Sequence, residues 1–294
     1  HMGILDLLDD PSLRAKTCIV VHDFYWACLQ GFRGLPDGSN CNLAPGRLAC
    51  RQCAWYPGLT DQIYATAREI LTSCRAVVFP SHYLHSEYVR LLGEEPENFL
   101  VQANPDTAEN IVPDQSVLPL APGQRQRAEG KTVFGFVGGP GESKGWGLVR
   151  EFMERADDMA ERPDGPHVVL FDSGRSLDNP WYPALKRPGT TIADPFHWSF
   201  ASHALGQIDV LLMPSRVRES FGLAAREVLS LDKQCIIRPS GALAEIKDYK
   251  GVILVQEEDN VDSLLAQVAQ DRNLQLKRWH GTSNADYVNK LMSV

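Results

Sequence analysis

The stretch Thr132-Val133-Phe134-Gly135-Phe136-Val137-Gly138-Gly139-Pro140-Gly141-Glu142-Ser143-Lys144-Gly145-Trp146 reads as a buried strand, a glycine loop and the start of a helix. The uncharged run before the loop fits a strand covered on both faces, as in a parallel sheet. Glycines let the backbone approach a ligand closely, a helix N-terminus presents free N–H groups, and Lys144 adds a positive charge. Phosphate suits that place. No G-x-G-x-x-G follows the strand in register, and Lys144 precedes Gly145 instead of Ser or Thr, so the loop is neither a dinucleotide fingerprint nor a Walker loop. Taken alone, the same residues also describe a glycine turn with a solvated lysine.

Downstream the rhythm continues. Strands are predicted over 132–137, 167–171, 190–193, 209–213, 234–238 and 252–255, alternating with helices over 146–161, 196–205, 223–231, 242–248 and 262–279. Such alternation specifies a doubly wound parallel α/β sheet whose ligands sit at the C-terminal ends of its strands. Upstream, the apolar run 18–21 ends in His22-Asp23 and reads as another parallel strand. A helix over 59–71, a strand over 76–79, a helix capped by Ser81 and running to Leu92, and a strand over 98–103 follow. The segment 106–130, rich in Pro, Gln and Ala, reads as a linker, dividing the chain into domains of 1–122 and 123–294.

Hydrophobic residues make up 44% of the 294 positions and charged residues 22%, which excludes collagenous and wholly disordered classes. The 37 acidic residues exceed the 29 basic ones, leaving a net charge of −8 and no excess of cations for a nucleic acid backbone. No run approaches the ~20 apolar residues of a membrane span, and no secretory signal opens the chain, so a cytoplasmic protein is expected, with peripheral placement at the inner face of a membrane as a variant. His1-Met2-Gly3 resembles the remnant of a cleaved tag.

Cys28, Cys41, Cys50 and Cys53 fall in a loop rich in Gly, Pro and Asn. The Cys50-x-x-Cys53 pair has zinc-knuckle spacing, and Cys28 and Cys41 would complete a tetrathiolate site with a structural zinc. An iron–sulfur cluster uses the same ligands, and unrelated free thiols remain the simpler alternative.

A second motif follows the fourth strand of the downstream series. In Met213-Pro214-Ser215-Arg216-Val217-Arg218-Glu219-Ser220-Phe221-Gly222-Leu223-Ala224-Ala225-Arg226-Glu227, a loop carries Glu219 and the next helix carries Glu227. Carboxylates on an amphipathic helix are ordinarily solvated. Here the pair is spaced to contact different parts of one polyhydroxylated ligand, with the Phe221, Gly222 and Leu223 amides between them for an anion.

These residues resemble the retaining glycosyltransferases of family 4, which have the GT-B fold. Glu219 and Glu227 match that family's E-x7-E motif, with Pro-Ser before and Phe-Gly between, and Lys144-Gly145 matches its K-G pair. The resemblance implies a nucleoside-diphosphate sugar as donor. Glu227 would bind its ribose, Glu219 would contact the donor sugar, and Lys144, Gly138, Gly139 and the run Ser220, Phe221, Gly222 and Leu223 would face the diphosphate. Val21-His22-Asp23 resembles the strand ending in a histidine near the donor sugar, which places His22 with Glu219 and Lys144 as catalytic candidates. Val78-Phe79-Pro80-Ser81 and the turn at Asn104-Pro105-Asp106 extend the likeness. Two departures stand out: Gly139 occupies the family's usual arginine position, and about half of the N-terminal acceptor domain is expected to be missing. The acceptor hydroxyl would belong to a glycan, a lipid-linked molecule or a small molecule. A sugar-nucleotide epimerase on the same fold and a non-catalytic donor-binding scaffold of a longer protein are the rival readings.

Overall fold

The computed structural model describes residues 8, 10–28, 31, 33–35, 40–42, 50, 57–105, 130–171, 187–193, 201–271, 279, 281 and 283–293. A first parallel sheet is built from β1 (Cys18–Val20), β2 (Ala76–Phe79) and β3 (Phe99–Val101), in that order. Cys18 lies opposite Ala76, and Val77 opposite Phe99. Around it pack α1 (Pro11–Arg14), α2 (Pro57–Ser73) and α3 (His82–Leu92). The expected Ser81 cap is present, its Oγ accepting the Leu84 N–H at 3.0 Å. At the other end of α3, Gly93 adopts φ 76° and its N–H returns to the Val89 carbonyl, the left-handed stop that favours glycine. Phe24 and Tyr88 stack at 6.1 Å, and Phe79 lies 4.8 Å from Phe99, in the core beneath the sheet.

The second sheet contains β4 (Thr132–Val137), β5 (Pro166–Phe171), β6 (Thr190–Ala193), β7 (Val210–Met213), β8 (Gln234–Ile237) and β9 (Val252–Leu254), all parallel, in the order β6-β5-β4-β7-β8-β9. Strands accumulate outward from β4 in one direction and from β7 in the other. This Rossmann-like order opens a crevice where the carboxyl ends of β4 and β7 diverge. Alternation along β4 sends Val133 to a core shared with Phe171, Leu211 and Val228, and Phe134 and Phe136 to the opposite core with Val149, Phe152 and Leu170. The helices α4 (Trp146–Asp158), α5 (Ala201–Gly206), α6 (Leu223–Ser230) and α7 (Val261–Asp271) flank it, and α8 (Asn284–Ser293) follows. Both sheets are those of a GT-B-like α/β architecture.

The segment expected to be helical over 242–248 is instead a 3-10 turn, Ala242–Ile246. Its entry residue Gly241 has φ 65°, and the Ala242 N–H donates outward to the Glu219 carbonyl at 2.8 Å, tying the turn to the neighbouring loop. Helix α4 ends at Asp158, three residues before the predicted 161, because Met159 leaves helical geometry. Parts of the predicted helices 196–205 and 262–279, and nearly all of the predicted linker, lie outside the described residues. Helices α1 and α8 have no counterpart in the sequence expectations. Asp10 caps α1, and Arg14 pairs with Glu69 at 2.6 Å. Ser283 caps α8, whose Tyr287 carbonyl accepts a hydrogen bond from Gln102 beside the first sheet. Among the described residues, no helix is long and apolar enough to cross a membrane.

Phe152 is fully buried, with its ring 5.0 Å from Phe134. Phe152→Ala should therefore lower stability by about 3 to 5 kcal/mol, read as a shift of the urea midpoint at unchanged slope.

Candidate functional site

The crevice between β4 and β7 gathers the two sequence motifs. After β4, Gly138 takes φ 127°, its N–H donates to Phe171 at 2.9 Å, and its face is open space. A 3-10 turn, Glu142–Lys144, then leads through Gly145 into α4. Gly145 has φ 76°, and a Cβ there would lie well under 3.0 Å from the Pro214 carbonyl oxygen. Only glycine satisfies both conditions. On the other side, the Arg216 and Val217 N–H groups donate to the Ser143 carbonyl at 2.9 and 3.1 Å. The two loops are thus fastened backbone to backbone.

That fastening sets Lys144 against Glu219. Lys144 Nζ donates to Glu219 Oε1 at 2.8 Å, and the buried Ser215 donates its hydroxyl to the same oxygen at 2.6 Å. The Glu219 side chain is 13% exposed and that of Lys144 43%, so the lysine is the reachable partner. The resemblance assigns Lys144 to a diphosphate; here its ammonium holds the Glu219 carboxylate. Gly222 opens α6 at φ 74° with no side-chain cap, leaving the first-turn amides around Leu223 for an acceptor from outside. Glu227, five residues into α6, is buried at 7% exposure.

Contacts that no sequence spacing announces hold this loop in place. Ser81, the cap of α3, donates its hydroxyl to the Ser220 carbonyl at 2.6 Å. Arg226 donates to the Phe221 carbonyl, lies 4.2 Å over the Phe221 ring and pairs with Glu245 at 3.2 Å. Burial lowers the Arg226 pKa, opposed by Glu245. Glu245 in turn accepts the Tyr83 N–H of α3 at 2.6 Å. The Gly-Ala-Leu-Ala-Glu run after β8 was the available signal for Glu245; nothing local marks Arg226, which looks like an ordinary helix cation.

His22 is exposed just past β1, and among the described residues no hydrogen bond or ion pair joins it to Lys144, Glu219 or Glu227. Its assignment to the donor side therefore rests on the resemblance. Gly139 is present as the loop's second glycine, between Gly138 and Pro140. His85 is set edge-on to Phe79 at 5.5 Å, and Trp146 is buried against Phe136.

The expected zinc centre is not supported. Among the described residues no group of three or more His, Cys, Asp or Glu is placed to hold a metal, and Cys28, Cys41 and Cys50 are free thiols that do not converge; Cys53 lies outside the described residues. The described part of the loop is fastened by other means. Cys41 N–H donates to the Arg33 carbonyl at 2.7 Å, Asn40 reaches the Arg216 carbonyl at 3.3 Å, and Arg33 lies buried against Phe24 and Glu87.

The chain matches no protein-family model and no curated protein. Among solved structures, it is similar to a sucrose-phosphate synthase from Thermosynechococcus elongatus, at 17% identity and a TM-score of 0.50, over 80% of this chain and 59% of that one. It is also similar to HepE of Anabaena in complex with UDP, at 13% identity and a TM-score of 0.63, over 100% of this chain and 77% of that one. The complex of HepE with UDP-glucose aligns at 14% identity and a TM-score of 0.53, over 80% of this chain and 68% of that one. At these identities the likeness establishes the fold, in agreement with the two parallel sheets.

Two outcomes test the geometry. Gly145→Ala should destabilise the chain by more than about 2 kcal/mol in urea unfolding, since the added methyl meets backbone and the φ is unfavourable. Burial pushes the Cys235 thiol up to about 12 and the Cys74 thiol up to about 11. Both should stay silent to an aromatic disulfide reagent at pH 8 in the native state, react once unfolded, and lag well behind the exposed Cys18.

Proposed function

We propose that the chain is a glycosyltransferase that takes a sugar from a nucleoside diphosphate and passes it to an acceptor hydroxyl with retention of configuration. The observation that carries this reading is the Lys144–Glu219 pair, set at the topological switch point beside the uncapped N-terminus of α6. A cation and a helix N-terminus that face one crevice suit a diphosphate, and a carboxylate released beside them suits sugar hydroxyls.

In this mechanism Lys144 exchanges Glu219 for the diphosphate and, with the Gly222 and Leu223 amides and the glycine loop at Gly138 and Gly139, stabilises the charge that grows as the glycosidic bond breaks. Glu219 then turns to the donor sugar, Glu227 takes the ribose, and His22 approaches from the first sheet. Glu219 keeps the Ser215 hydroxyl on its Oε1, which lowers its strength as a nucleophile. A same-face displacement through an oxocarbenium-like transition state fits better than a covalent intermediate. The UDP named in the HepE complexes makes UDP the first nucleotide to try.

A carboxylate accepting two ribose hydroxyls forms charge-assisted hydrogen bonds worth about 1.5 to 3 kcal/mol each. In calorimetry, Glu227→Ala should weaken nucleoside diphosphate binding at least tenfold, about 1.4 kcal/mol, while the circular dichroism spectrum is retained. Unchanged affinity would overturn the donor-site reading of α6.

A further inference from the structure

A cavity of about 410 Å³ opens where the carboxyl ends of β2 and β3 meet the site loop, α6 and the C-terminal stretch of the chain. That size falls within the range of about 300 to 1,000 Å³ usual for small-molecule sites. Lys144, Gly138, Glu219 and Glu227 are not among the described residues that line it, so it is separate from the crevice at the switch point.

Much of its lining is aromatic. Phe221 and Trp279 meet edge-on at 6.2 Å, and Tyr249, Ile246 and Ala103 line the same space. Arg226, Glu245 and Lys290 are the charged side chains among its described lining residues. Glu245 is fully engaged, since one oxygen accepts the Tyr83 N–H at 2.6 Å and the other lies 3.2 Å from Arg226. Arg226 is engaged in turn by Glu245 and the Phe221 carbonyl. The two charges cancel, which leaves Lys290. Lys290 and the lining residue His82 are exposed, and among the described residues no hydrogen bond or ion pair engages either side chain. Aromatic walls with one uncompensated ammonium complement a flat apolar body that carries a single negative charge. A dianion would meet only one free cation.

We propose that this cavity is a binding site for a small aromatic carboxylate, its ring against Phe221, Tyr249 and Trp279 and its carboxylate on Lys290. The site goes beyond the glycosyltransferase reading and does not rest on it. Its occupant touches residues that follow both strands of the first sheet as well as the site loop, and so contacts both halves of the chain at once.

The test is a nuclear magnetic resonance titration of the whole chain with 3-phenylpropanoate. The Trp279 indole N–H signal, identified by its loss in Trp279→Phe, should shift saturably. Lys290→Met should weaken the apparent affinity at least threefold, as loss of an exposed ion pair allows. Ala103→Phe, which fills the cavity, should weaken it at least tenfold, and Lys144→Met should retain it. The neutral 3-phenylpropan-1-ol and the ringless acetate should each bind at least threefold more weakly than the acid. A Trp279 signal that does not move would overturn the proposal. So would an affinity unchanged in Lys290→Met, an alcohol that binds as tightly as the acid, or a response lost in Lys144→Met. Should Ala103→Phe fail to fold, Lys290→Met and the alcohol decide. UDP titrated in parallel separates the two readings: failure of UDP to bind counts against the transferase, while the Trp279 signal decides the cavity.

Discussion

Two loops meet backbone to backbone at the switch point, and the site depends on that contact. Gly145 stands against the Pro214 carbonyl where no side chain fits, and the Ser143 carbonyl receives two N–H groups from the opposite loop. Lys144 and Glu219 lie 75 positions apart in the chain, yet they come within 2.8 Å because their neighbours are locked. An ion pair open to solvent on the lysine side is worth only about 1 kcal/mol and does not by itself hold two loops together. Causation runs the other way: the backbone contact places the charges, and the charges are left free to exchange partners.

A second set of contacts ties this arrangement to the first sheet. Successive carbonyls of the site loop are held from two sides, Ser220 by the Ser81 hydroxyl and Phe221 by Arg226, while Glu245 joins Arg226 to the N-terminus of α3. The loop that presents the Gly222 and Leu223 amides is therefore shaped partly by the N-terminal half of the chain. Hydrogen bonds of this kind contribute about 1 kcal/mol each, and more where a charge is involved. Their larger effect is geometric, since turning carbonyls away leaves amides facing the crevice.

The strands were legible because burial on both faces leaves short uncharged runs: β2, β4 and β6 fall at their predicted bounds. The E-x7-E loop and the glycine loop were legible as local patterns. The Lys144–Glu219 pair, the Ser81 bridge and the Arg226–Glu245 link were not, because each joins residues brought together by the fold and leaves no spacing to read. Helix α8 was missed because its apolar positions are weak, with Val288 and Met292 exposed. The cysteine spacing reads as a metal knuckle that the described residues do not support, and the contacts those residues show are Arg33 with Glu87 and Asn40 with the Arg216 carbonyl.

Charge distribution links the parts. The chain carries a net −8, yet Lys144, Arg33, Arg90, Arg218 and Arg226 gather along the crevice and the seam beside it. Each of them is paired with a carboxylate, Glu219, Glu87 or Glu245, so the cations are already positioned before any ligand arrives. Anion binding then becomes an exchange of one anionic partner for another, without the cost of ordering free side chains. In a protein whose surface is acidic overall, a lined crevice of this sign also concentrates anionic molecules at its mouth. On the proposed function, the exchange at Lys144 does two things at once: it neutralises the leaving diphosphate and it releases Glu219 toward the sugar. Donor binding and the arming of the site are then a single electrostatic event, set by the contact at Gly145.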